Sequence, residues 1–405
     1  MLHVTVRPGR EKKIRACYPW VKKNDILSFS RKPKKGELCV VRDFKGRFLA
    51  KGYINPESYI TIRLLSFDKN EEINEEFFVR RISQALKYRE KVVPGIYREN
   101  TAFRLIHSEA DYIPGFICDV YDNHAVVQFC TYGITLLKDM IINALIKVLK
   151  PKSIYEKSTP TAMEIEGLEP KEEQIYGETP ETVFIKENGI KIITQIKGGQ
   201  KTGYFLDQRE NKLLHAKEFV DEGDRFLDAF CHVGGFGLHA LIIGKAKEAV
   251  FVDSSELALD LAKENAKLNN VYEKCTFIKG DCFEILRNMQ KDGEMFDSIV
   301  IDPPAFAKKK AYVEGAKRGY KELFLRGLKM LPKGGKISVY SCSHHVSPWI
   351  LEEILLSAAQ DARTPLRILY TTYQAKDHPF VLQIPESRYL KGIFARRFEW
   401  DVVQG

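Results

Sequence analysis

The spacing of apolar residues changes twice along the chain, and the first pattern is typical of short β-strands. Four segments, 2–7, 37–42, 47–53 and 59–66, are expected to be short strands separated by turns. Pro8-Gly9 and Lys45-Gly46 lie where turns are expected. Residues 10–20 form a basic stretch that we expect to be one short helix. The pattern predicts a small β-barrel over residues 1–70.

The second pattern mixes helical and strand spacing. Phe77, Phe78, Ile82 and Leu86 have the spacing of a helix, and so do the apolar residues of 134–149. Strands are expected over four segments, 102–107, 115–121 continuing through 125–129, 153–156 and 183–185. We interpret residues 71–188 as an α+β domain, and no motif within it carries recognisable chemistry.

The third pattern is a regular alternation of strands and helices. Strands are expected over 225–230, 249–253, 276–280, 297–301 and 336–340, with helical stretches such as 257–268 between them. Such alternation is typical of βαβ units and a parallel sheet. Residues 189–405 are therefore predicted to form an α/β domain whose ligands bind at the carboxyl ends of the strands.

The positive charge of the chain is concentrated at its start. The net charge is +9, and residues 1–68 hold sixteen Lys and Arg against six Asp and Glu, so the rest is close to neutral. A basic module of this kind favours a nucleic-acid partner, although a solvated basic surface or a weak membrane-surface patch stays open. The proposed RNA-binding residues are Arg10, Lys12, Lys13, Arg15, Lys22 and Lys23.

Polar residues and glycines follow each predicted strand of the third region. Asp228, Phe230, Gly234 and Gly235 follow or end the first strand, in a turn that lacks the G-x-G-x-x-G spacing of dinucleotide enzymes. Such a turn suits a smaller cofactor, because a glycine has no Cβ to keep a ligand away.

The next strand ends supply further carboxylates. Asp253 would accept hydrogen bonds from ribose hydroxyls, Asp281 and Cys282 would lie near an adenine, and Asp302 follows the fourth strand. Helix capping explains each of them singly, and Asp253-Ser254-Ser255-Glu256 matches a capping box. Four such aspartates, each at the end of a strand, favour a cofactor site.

A further segment precedes the first of these strands. Tyr204, Asp207 and Gln208 would form a lid over the methionine end of the cofactor. The alternative is a helix-capping box made by Asp207 and Glu210, and it stays open.

Cys342 ends the fifth strand and is the candidate nucleophile. A free cysteine is usually a small buried apolar residue, but this one is expected to face the cofactor cleft beside Asp302. A thiolate that attacks C6 of a pyrimidine makes C5 nucleophilic enough to accept a methyl group. Asp302 is our candidate for the acid near N3.

The number and spacing of the cysteines indicate the cellular compartment. Eight cysteines are scattered without a C-x-x-C pair, so we expect neither a zinc site nor disulfides, and a reducing cytoplasm. Neither a signal peptide nor a membrane span is expected. The sequence leaves the oligomeric state open, a homodimer included.

These residues resemble a known family along the whole chain. The RlmI-type methyltransferases, which form 5-methylcytidine in 23S ribosomal RNA, share similar motifs in three regions. The first two regions match at Gly9-Arg10-Glu11-Lys12, Tyr18-Pro19-Trp20-Val21, Phe103-Arg104-Leu105-Ile106 and Ile113-Pro114-Gly115. The third matches at Lys201-Thr202-Gly203-Tyr204, Leu206-Asp207-Gln208-Arg209, Asp302-Pro303-Pro304, Arg318-Gly319-Tyr320-Lys321 and Ser341-Cys342-Ser343.

The resemblance implies a PUA domain that grips RNA, a central domain of EEHEE type, and a Rossmann-like class I catalytic domain. It further implies S-adenosylmethionine as cofactor, Cys342 as nucleophile, and 23S ribosomal RNA or a large-subunit assembly intermediate as partner. The chain departs from the family at Ala305, where Lys is common, and at Gly237, where Ala is usual. The first departure removes a cation near the target base.

Two other functions remain open from the sequence. An RNA N-methyltransferase would use Asp-Pro-Pro and a nearby aromatic residue to hold a flipped guanine or adenine, and would need no thiolate. A non-catalytic RNA-binding or ribosome-assembly factor would keep only the fold. Cys342 argues against the first, and the strand-end carboxylates argue against the second.

Overall fold

The computed structural model describes residues 1–158, 163, 166–198, 202–307 and 310–400. The chain divides into two compact units. The first comprises Met1–Ile185, Gln195–Leu206 and Lys376–Ser387, and the second comprises Lys186–Thr194, Asp207–Ala375 and the segment from Arg388 onward. Among the described residues, no helix is both long and apolar enough to cross a membrane.

The first unit begins with a small sheet and one short helix. Its strands are β1 (Leu2–Val6), β2 (Trp20–Lys22), β3 (Ile26–Phe29), β4 (Leu38–Arg42), β5 (Phe48–Ile54) and β6 (Ile60–Ser66), in the order β2-β6-β5-β4-β1-β3. The helix α1 is only Glu11–Arg15, because Cys17 adopts a φ of 63° and Trp20 already begins β2. Alternate residues of β1, Leu2, Val4 and Val6, are buried in the core, as their spacing predicts.

The first unit continues with a sheet covered by helices. In chain order its elements are α2 (Glu75–Val92), β7 (Ala102–His107), β8 (Phe116–Tyr121), β9 (His124–Phe129), α3 (Tyr132–Thr135), α4 (Lys138–Leu149), β10 (Ser153–Ser158) and β11 (Lys171–Gly177). The sheet order is β11-β10-β9-β8-β7. The strand expected to run on through Phe129 is instead a hairpin, since Asp122 turns the chain with a φ of 56°.

A second hairpin follows β11 along the chain. Strands β12 (Thr182–Glu187) and β13 (Ile190–Gln195) pair with each other. The two residues between them, Asn188 and Gly189, have φ angles of 52° and 84°. This is the Asn-Gly turn that two-residue hairpins favour.

The second unit is built around one sheet. Its strands are β14 (Arg225–Ala229), β15 (Glu248–Asp253), β16 (Cys275–Lys279), β17 (Ser298–Ile301), β18 (Lys336–Ser341), β19 (Leu366–Tyr373) and β20 (Lys391–Arg397). Its helices are α5 (Arg209–Glu218), α6 (Gly235–Ile242), α7 (Glu256–Leu268), α8 (Cys282–Lys291), α9 (Val313–Lys329) and α10 (Pro348–Ala362). Short 3₁₀ turns across the chain are Lys23–Asp25, Ser108–Asp111, Leu206–Gln208, Tyr272–Lys274, Lys310–Tyr312 and Pro385–Ser387.

The strand order of this sheet is β16-β15-β14-β17-β18-β20-β19. The neighbours among β14 to β18 pair in parallel, which confirms the predicted α/β, Rossmann-like arrangement. Strand β20 lies antiparallel between β18 and β19, and neither β19 nor β20 was predicted. The order reverses at β14, which has β15 on one side and β17 on the other. A ligand crevice is expected beyond the carboxyl end of that strand.

Candidate active site

The turn after β14 departs from ordinary backbone geometry. Phe230, His232 and Gly234 have φ angles of 65°, 51° and 86°, and Gly234 is the N-cap of α6. A Cβ at Gly234 would also lie 3.2 Å from Cε1 of Phe251. A left-handed backbone at non-glycine residues such as Phe230 and His232 costs free energy, and it is characteristic of turns that bring backbone close to a ligand.

Gly237 explains one of the departures from the family. A Cβ at this position would lie 2.2 Å from Cε1 of Phe251, so Ala does not fit. The Phe251 ring stacks on Phe277 with the ring centroids 5.0 Å apart. The aromatic pair occupies the space that an alanine methyl group would need between α6 and the sheet.

Asp228 is a buried carboxylate with one oxygen available. Its Oδ2 accepts a hydrogen bond from the Gly237 N–H at 2.8 Å, whereas its Oδ1 is buried and has no hydrogen-bond partner among the described residues. The pKa of Asp228 is raised to about 7, because burial and then the charges of Asp302 and Asp253 outweigh the hydrogen bond from Gly237, which lowers it. An unpaired buried oxygen marks a position at which a ligand donor or cation would be stabilising.

Asp253 is held at the end of β15 by two backbone groups. Its Oδ2 accepts from the His232 N–H at 2.8 Å, and its Oδ1 accepts from the Ser255 N–H at 2.9 Å. The N-cap of α7 is Ser255, whose Oγ accepts from Ala258, so Asp253 is not the cap of that helix. Each carboxylate oxygen keeps a lone pair, as ribose recognition requires.

Asp281 and Cys282 have clear local roles. Asp281 is exposed and caps α8, with its Oδ1 accepting from the N–H groups of Phe283 and Glu284. Cys282 is buried, and burial raises the pKa of its thiol to about 12. The structure therefore gives Asp281 the capping role that the sequence left open. Contact of Asp281 and Cys282 with a cofactor stays a prediction.

Two of the predicted lid residues lie in the same unit as Asp302. Gln208 Nε2 donates to Asp302 Oδ2 at 2.8 Å, and Gln208 Oε1 accepts from Asn211 at 2.6 Å. Asp207 Oδ2 accepts from the Tyr389 hydroxyl at 2.7 Å. Helix α5 begins at Arg209 with Gln208 at its N-cap position, so Asp207 lies one residue before the position that the capping-box alternative requires.

The third lid residue belongs to the first unit. The Tyr204 N–H donates to the hydroxyl of Tyr121 at 3.0 Å, and the side chain of Tyr204 is buried. The motif residue Lys201 lies outside the described residues.

Cys342 differs from most other cysteines of the chain in its exposure. It is half-buried, as are Cys17, Cys130 and Cys275, whereas Cys39, Cys118, Cys231 and Cys282 are buried. It follows β18, and Asp302 follows the neighbouring parallel strand β17. Both residues thus extend from the carboxyl edge of the sheet. This partial exposure is compatible with the predicted role of Cys342 as a nucleophile that faces the cofactor cleft.

A hydrogen-bond network that the sequence did not reveal fixes the residues on either side of Cys342. Ser341 Oγ donates to the Tyr320 hydroxyl at 3.0 Å, and that hydroxyl lies 3.1 Å from Ser343 Oγ. The Tyr320 ring also packs on Phe306, with centroids 4.7 Å apart. Tyr320 therefore connects the Asp-Pro-Pro loop to the cysteine segment, which gives the Arg-Gly-Tyr-Lys motif a structural role.

Lys391 is a second residue that sequence reasoning missed. Its ammonium group donates to the carbonyl oxygens of Ser343 and Tyr389 at 2.6 and 2.7 Å. The pKa of the neighbouring His344 imidazole is lowered by desolvation and by the charges of Lys391 and His345. No local motif surrounds Lys391, so only the antiparallel return of β20 reveals its position.

The predicted RNA-binding residues divide into two groups. Arg10, Lys13 and Lys22 line a pocket of about 270 Å³ in the first unit, together with the aromatic residues Tyr18, Trp20 and Tyr59. Lys12, Arg15 and Lys23 are exposed outside it, and Arg15 pairs with Asp43 at 3.0 Å.

The aromatic walls of this pocket are anchored by carboxylates. The Tyr18 hydroxyl donates to Glu386 at 2.9 Å, and the Trp20 indole N–H donates to Glu109 at 3.0 Å. The Lys22 ammonium lies 5.4 Å from the centroid of the exposed Tyr59 ring. Cations beside aromatic rings form a surface that suits unpaired nucleotides.

The residues at the sheet edge fit the expected cofactor. Asp228 offers a buried oxygen without a partner, the turn at Gly234 leaves room for close approach, and Asp253 presents a fixed carboxylate. Within the described part of the chain, no group of three or more His, Cys, Asp or Glu side chains is arranged to hold a metal ion.

Comparison with known proteins gives two family matches. Residues 4–67 match a PUA-like domain, and residues 169–368 match an S-adenosylmethionine-dependent methyltransferase. The chain is 40% identical over 396 residues to ribosomal RNA large subunit methyltransferase I of Tolumonas auensis, covering 97% of this chain and 98% of that protein. It is also 40% identical to the protein of the same name from Aeromonas hydrophila, covering 96% and 97%.

Solved structures show the same fold at low sequence identity. A protein assigned as a methyltransferase, SMU.776, in complex with SAH has a TM-score of 0.83 at 20% identity, covering 98% of this chain and 100% of that one. A protein of Streptococcus mutans assigned as S-adenosylmethionine-dependent has a TM-score of 0.81 at 21% identity, with the same coverage. These likenesses confirm the class I fold.

Proposed function

Because this chain belongs to the family of ribosomal RNA large subunit methyltransferase I, we propose that it methylates C5 of a cytosine in 23S ribosomal RNA. The chain is an S-adenosylmethionine-dependent methyltransferase. The cytosine-C5 specificity, the covalent step and the roles of individual residues are proposals. One observation carries them, namely a half-buried cysteine directly after β18, beside the parallel strand β17 that Asp302 directly follows.

Cofactor binding is proposed to use the edge around β14. Asp253 would accept hydrogen bonds from the ribose hydroxyls, and Asp228 would place its unpaired oxygen toward a positively charged part of the cofactor. Phe230, Gly234, Gly235, Asp281 and Cys282 would line the remaining surface, with Tyr204, Asp207 and Gln208 covering the methionine end. The bound cofactor supplies an electrophilic methyl group.

Cys342 is proposed to activate C5 of the cytosine for methyl transfer. Its thiolate forms a bond to C6, and the electron pair of the 5,6-double bond moves to C5 and the adjoining ring as Asp302 donates a proton toward N3. C5 then gains the methyl group. Loss of the C5 proton to a base restores the 5,6-double bond and expels the Cys342 thiolate, and N3 returns its proton to Asp302. Gln208 holds the Asp302 carboxyl through its hydrogen bond at 2.8 Å.

RNA is proposed to bind through the first unit. The pocket lined by Arg10, Lys13 and Lys22 combines cations with three aromatic residues, and Lys12, Arg15 and Lys23 add charge around it. Phosphate contacts from such residues give affinity that falls with salt. We propose residues 1–70 for this role, 71–188 as the central domain and 189–405 for catalysis. The substrate is 23S ribosomal RNA, free or in a large-subunit assembly intermediate.

Nucleoside analysis of methylated RNA tests the proposed product. Wild-type protein incubated with 23S ribosomal RNA and S-adenosylmethionine is expected to yield 5-methylcytidine. The variant Cys342→Ala is expected to lose at least about a thousandfold in rate, because no nucleophile activates C5, while calorimetry shows unchanged cofactor binding. An N-methylated guanine or adenine as the product, with activity retained in Cys342→Ala, would support the N-methyltransferase alternative instead.

A further inference from the structure

Lys391 is held against the segment that carries Cys342. It begins β20, where its Cα pairs with that of Ser341 across the antiparallel ladder, one residue before the cysteine. Its ammonium donates to the carbonyl oxygen of Ser343, one residue after the cysteine, at 2.6 Å. A second bond of 2.7 Å goes to the carbonyl of Tyr389. These contacts fix the lysine beside the peptide units on both sides of Cys342.

The charge of Lys391 lacks an ordinary counter-ion. The residue is only 4% exposed, and among the described residues it forms no ion pair with a carboxylate. Two of its three N–H groups donate to carbonyls, and the third has no acceptor in the described part of the chain. A buried ammonium without a negative partner is costly.

The groups that act on Lys391 electrostatically are few. The pKa of Lys391 is lowered to about 8, because burial and the charge of Arg388 lower it more than Cys342 raises it. His344 is also close enough for the lysine charge to lower its own pKa. Among the groups that act on Lys391, Cys342 is therefore the one whose ionised form would compensate this ammonium.

We propose that Lys391 is a positioning residue that keeps Cys342 as a thiolate at neutral pH. When the lysine is neutral, its Nζ accepts the thiol proton, so that the S–H bond breaks, an N–H bond forms and an ammonium–thiolate pair results. The same ammonium stabilises the thiolate that leaves C6 at the end of the reaction. This inference rests on the proposed role of Cys342 as the nucleophile.

Lys336 provides a matched control on the same pair of strands. It begins β18 and lies opposite Arg396 of β20, at the other end of the ladder from Lys391. It is 7% exposed, and its ammonium pairs with Asp221 at 2.6 Å. Replacing Lys336 removes a similarly buried lysine without removing a charge beside Cys342.

Alkylation of Cys342 by iodoacetamide, followed by mass spectrometry of its peptide between pH 5 and 10, tests the proposal in the full chain without RNA. We expect a wild-type midpoint at least one unit below the value of about 8.5 for an ordinary cysteine. Lys391→Met should raise the midpoint by at least one unit and slow alkylation at pH 7 about tenfold. Lys391→Arg should keep the low midpoint, and so should Lys336→Met.

Two results would overturn the proposal. A wild-type midpoint at or above 8.5 would do so whether or not Lys391→Met folds, and so would equal midpoints in folded Lys391→Met and the wild type. Because the assay needs neither RNA nor methyl transfer, a shifted midpoint would support the lysine–cysteine pair even if the RNA product were not 5-methylcytidine.

Discussion

At the scale of single residues, Asp228 shows why a functional group need not be a stabilising one. The carboxyl group is 1% exposed, and one of its oxygens is buried without a hydrogen bond. Burial, together with the nearby Asp302 and Asp253, raises its pKa from 3.8 to about 7. The folded protein therefore binds a proton that the unfolded chain has already released between these two values. The contribution of Asp228 to stability falls as the pH rises from about 4 through 7.

We expect Asp228→Asn to stabilise the cofactor-free protein in a pH-dependent way. The amide keeps an oxygen that accepts from Gly237 but cannot ionise, so its gain in Tm should reach about 4 °C at pH 8 and shrink toward pH 5. Affinity for S-adenosylmethionine should fall by about tenfold or more, because the charged acceptor is lost. Calorimetry measures both effects.

Asp260→Asn is the control for this experiment. Asp260 lies on α7, is exposed, and pairs with Lys263. It should change neither the pH dependence nor the cofactor affinity. A Tm difference between Asp228→Asn and the wild type that is the same at pH 5 and pH 8 would contradict the assigned pKa.

At the scale of elements, the sequence predicts the parallel strands well, because each is a short apolar run that a helix follows. The carboxyl ends of β14, β15 and β17 and their Asp228, Asp253 and Asp302 could therefore be placed in one sheet. Strands β19 and β20 were missed. They pair antiparallel, and among the described residues between them the structure has only the 3₁₀ turn Pro385–Ser387, so the alternation of strands and helices that predicts the inner strands does not extend to them.

Short elements were missed for a different reason. Strands β2 and β3 have three and four residues, and their fold depends on pairing with β6 and β1, which are distant in sequence. The role of Lys391 was missed for the same reason. Its contact with the Cys342 segment arises from antiparallel pairing between β18 and β20, and no spacing within either strand reports that register. Tertiary pairing, which the local sequence does not carry, decides these positions.

At the scale of the whole molecule, charge and chemistry are carried by different parts of the chain. The excess of positive charge lies in the first 68 residues, whereas the candidate nucleophile and most cofactor residues lie in the second unit. This division suits an enzyme that holds a large polyanion with one module and modifies it with another.

We expect the cations of the pocket to dominate RNA binding. The triple variant Arg10→Gln, Lys13→Gln, Lys22→Gln should bind 23S ribosomal RNA more weakly, and the slope of log affinity against log salt should become shallower by about two, since three phosphate contacts are lost. The control triple Lys32→Gln, Lys34→Gln, Lys45→Gln changes the charge equally within the same sheet region. An equal loss of slope in both triples would mean that only net charge matters.

The central claim is that Cys342 bonds covalently to C6 of a cytosine, and trapping that bond tests it most directly. In RNA containing 5-fluorocytidine, C5 carries fluorine instead of the proton that must leave, so elimination of the thiolate is blocked. Wild-type protein with S-adenosylmethionine should form a complex with this RNA that survives SDS, and mass spectrometry should map the RNA to the Cys342 peptide. Cys342→Ala should form none. If wild-type protein methylates unmodified RNA but yields no such complex, or if Cys342→Ala methylates at the wild-type rate, the covalent mechanism is wrong.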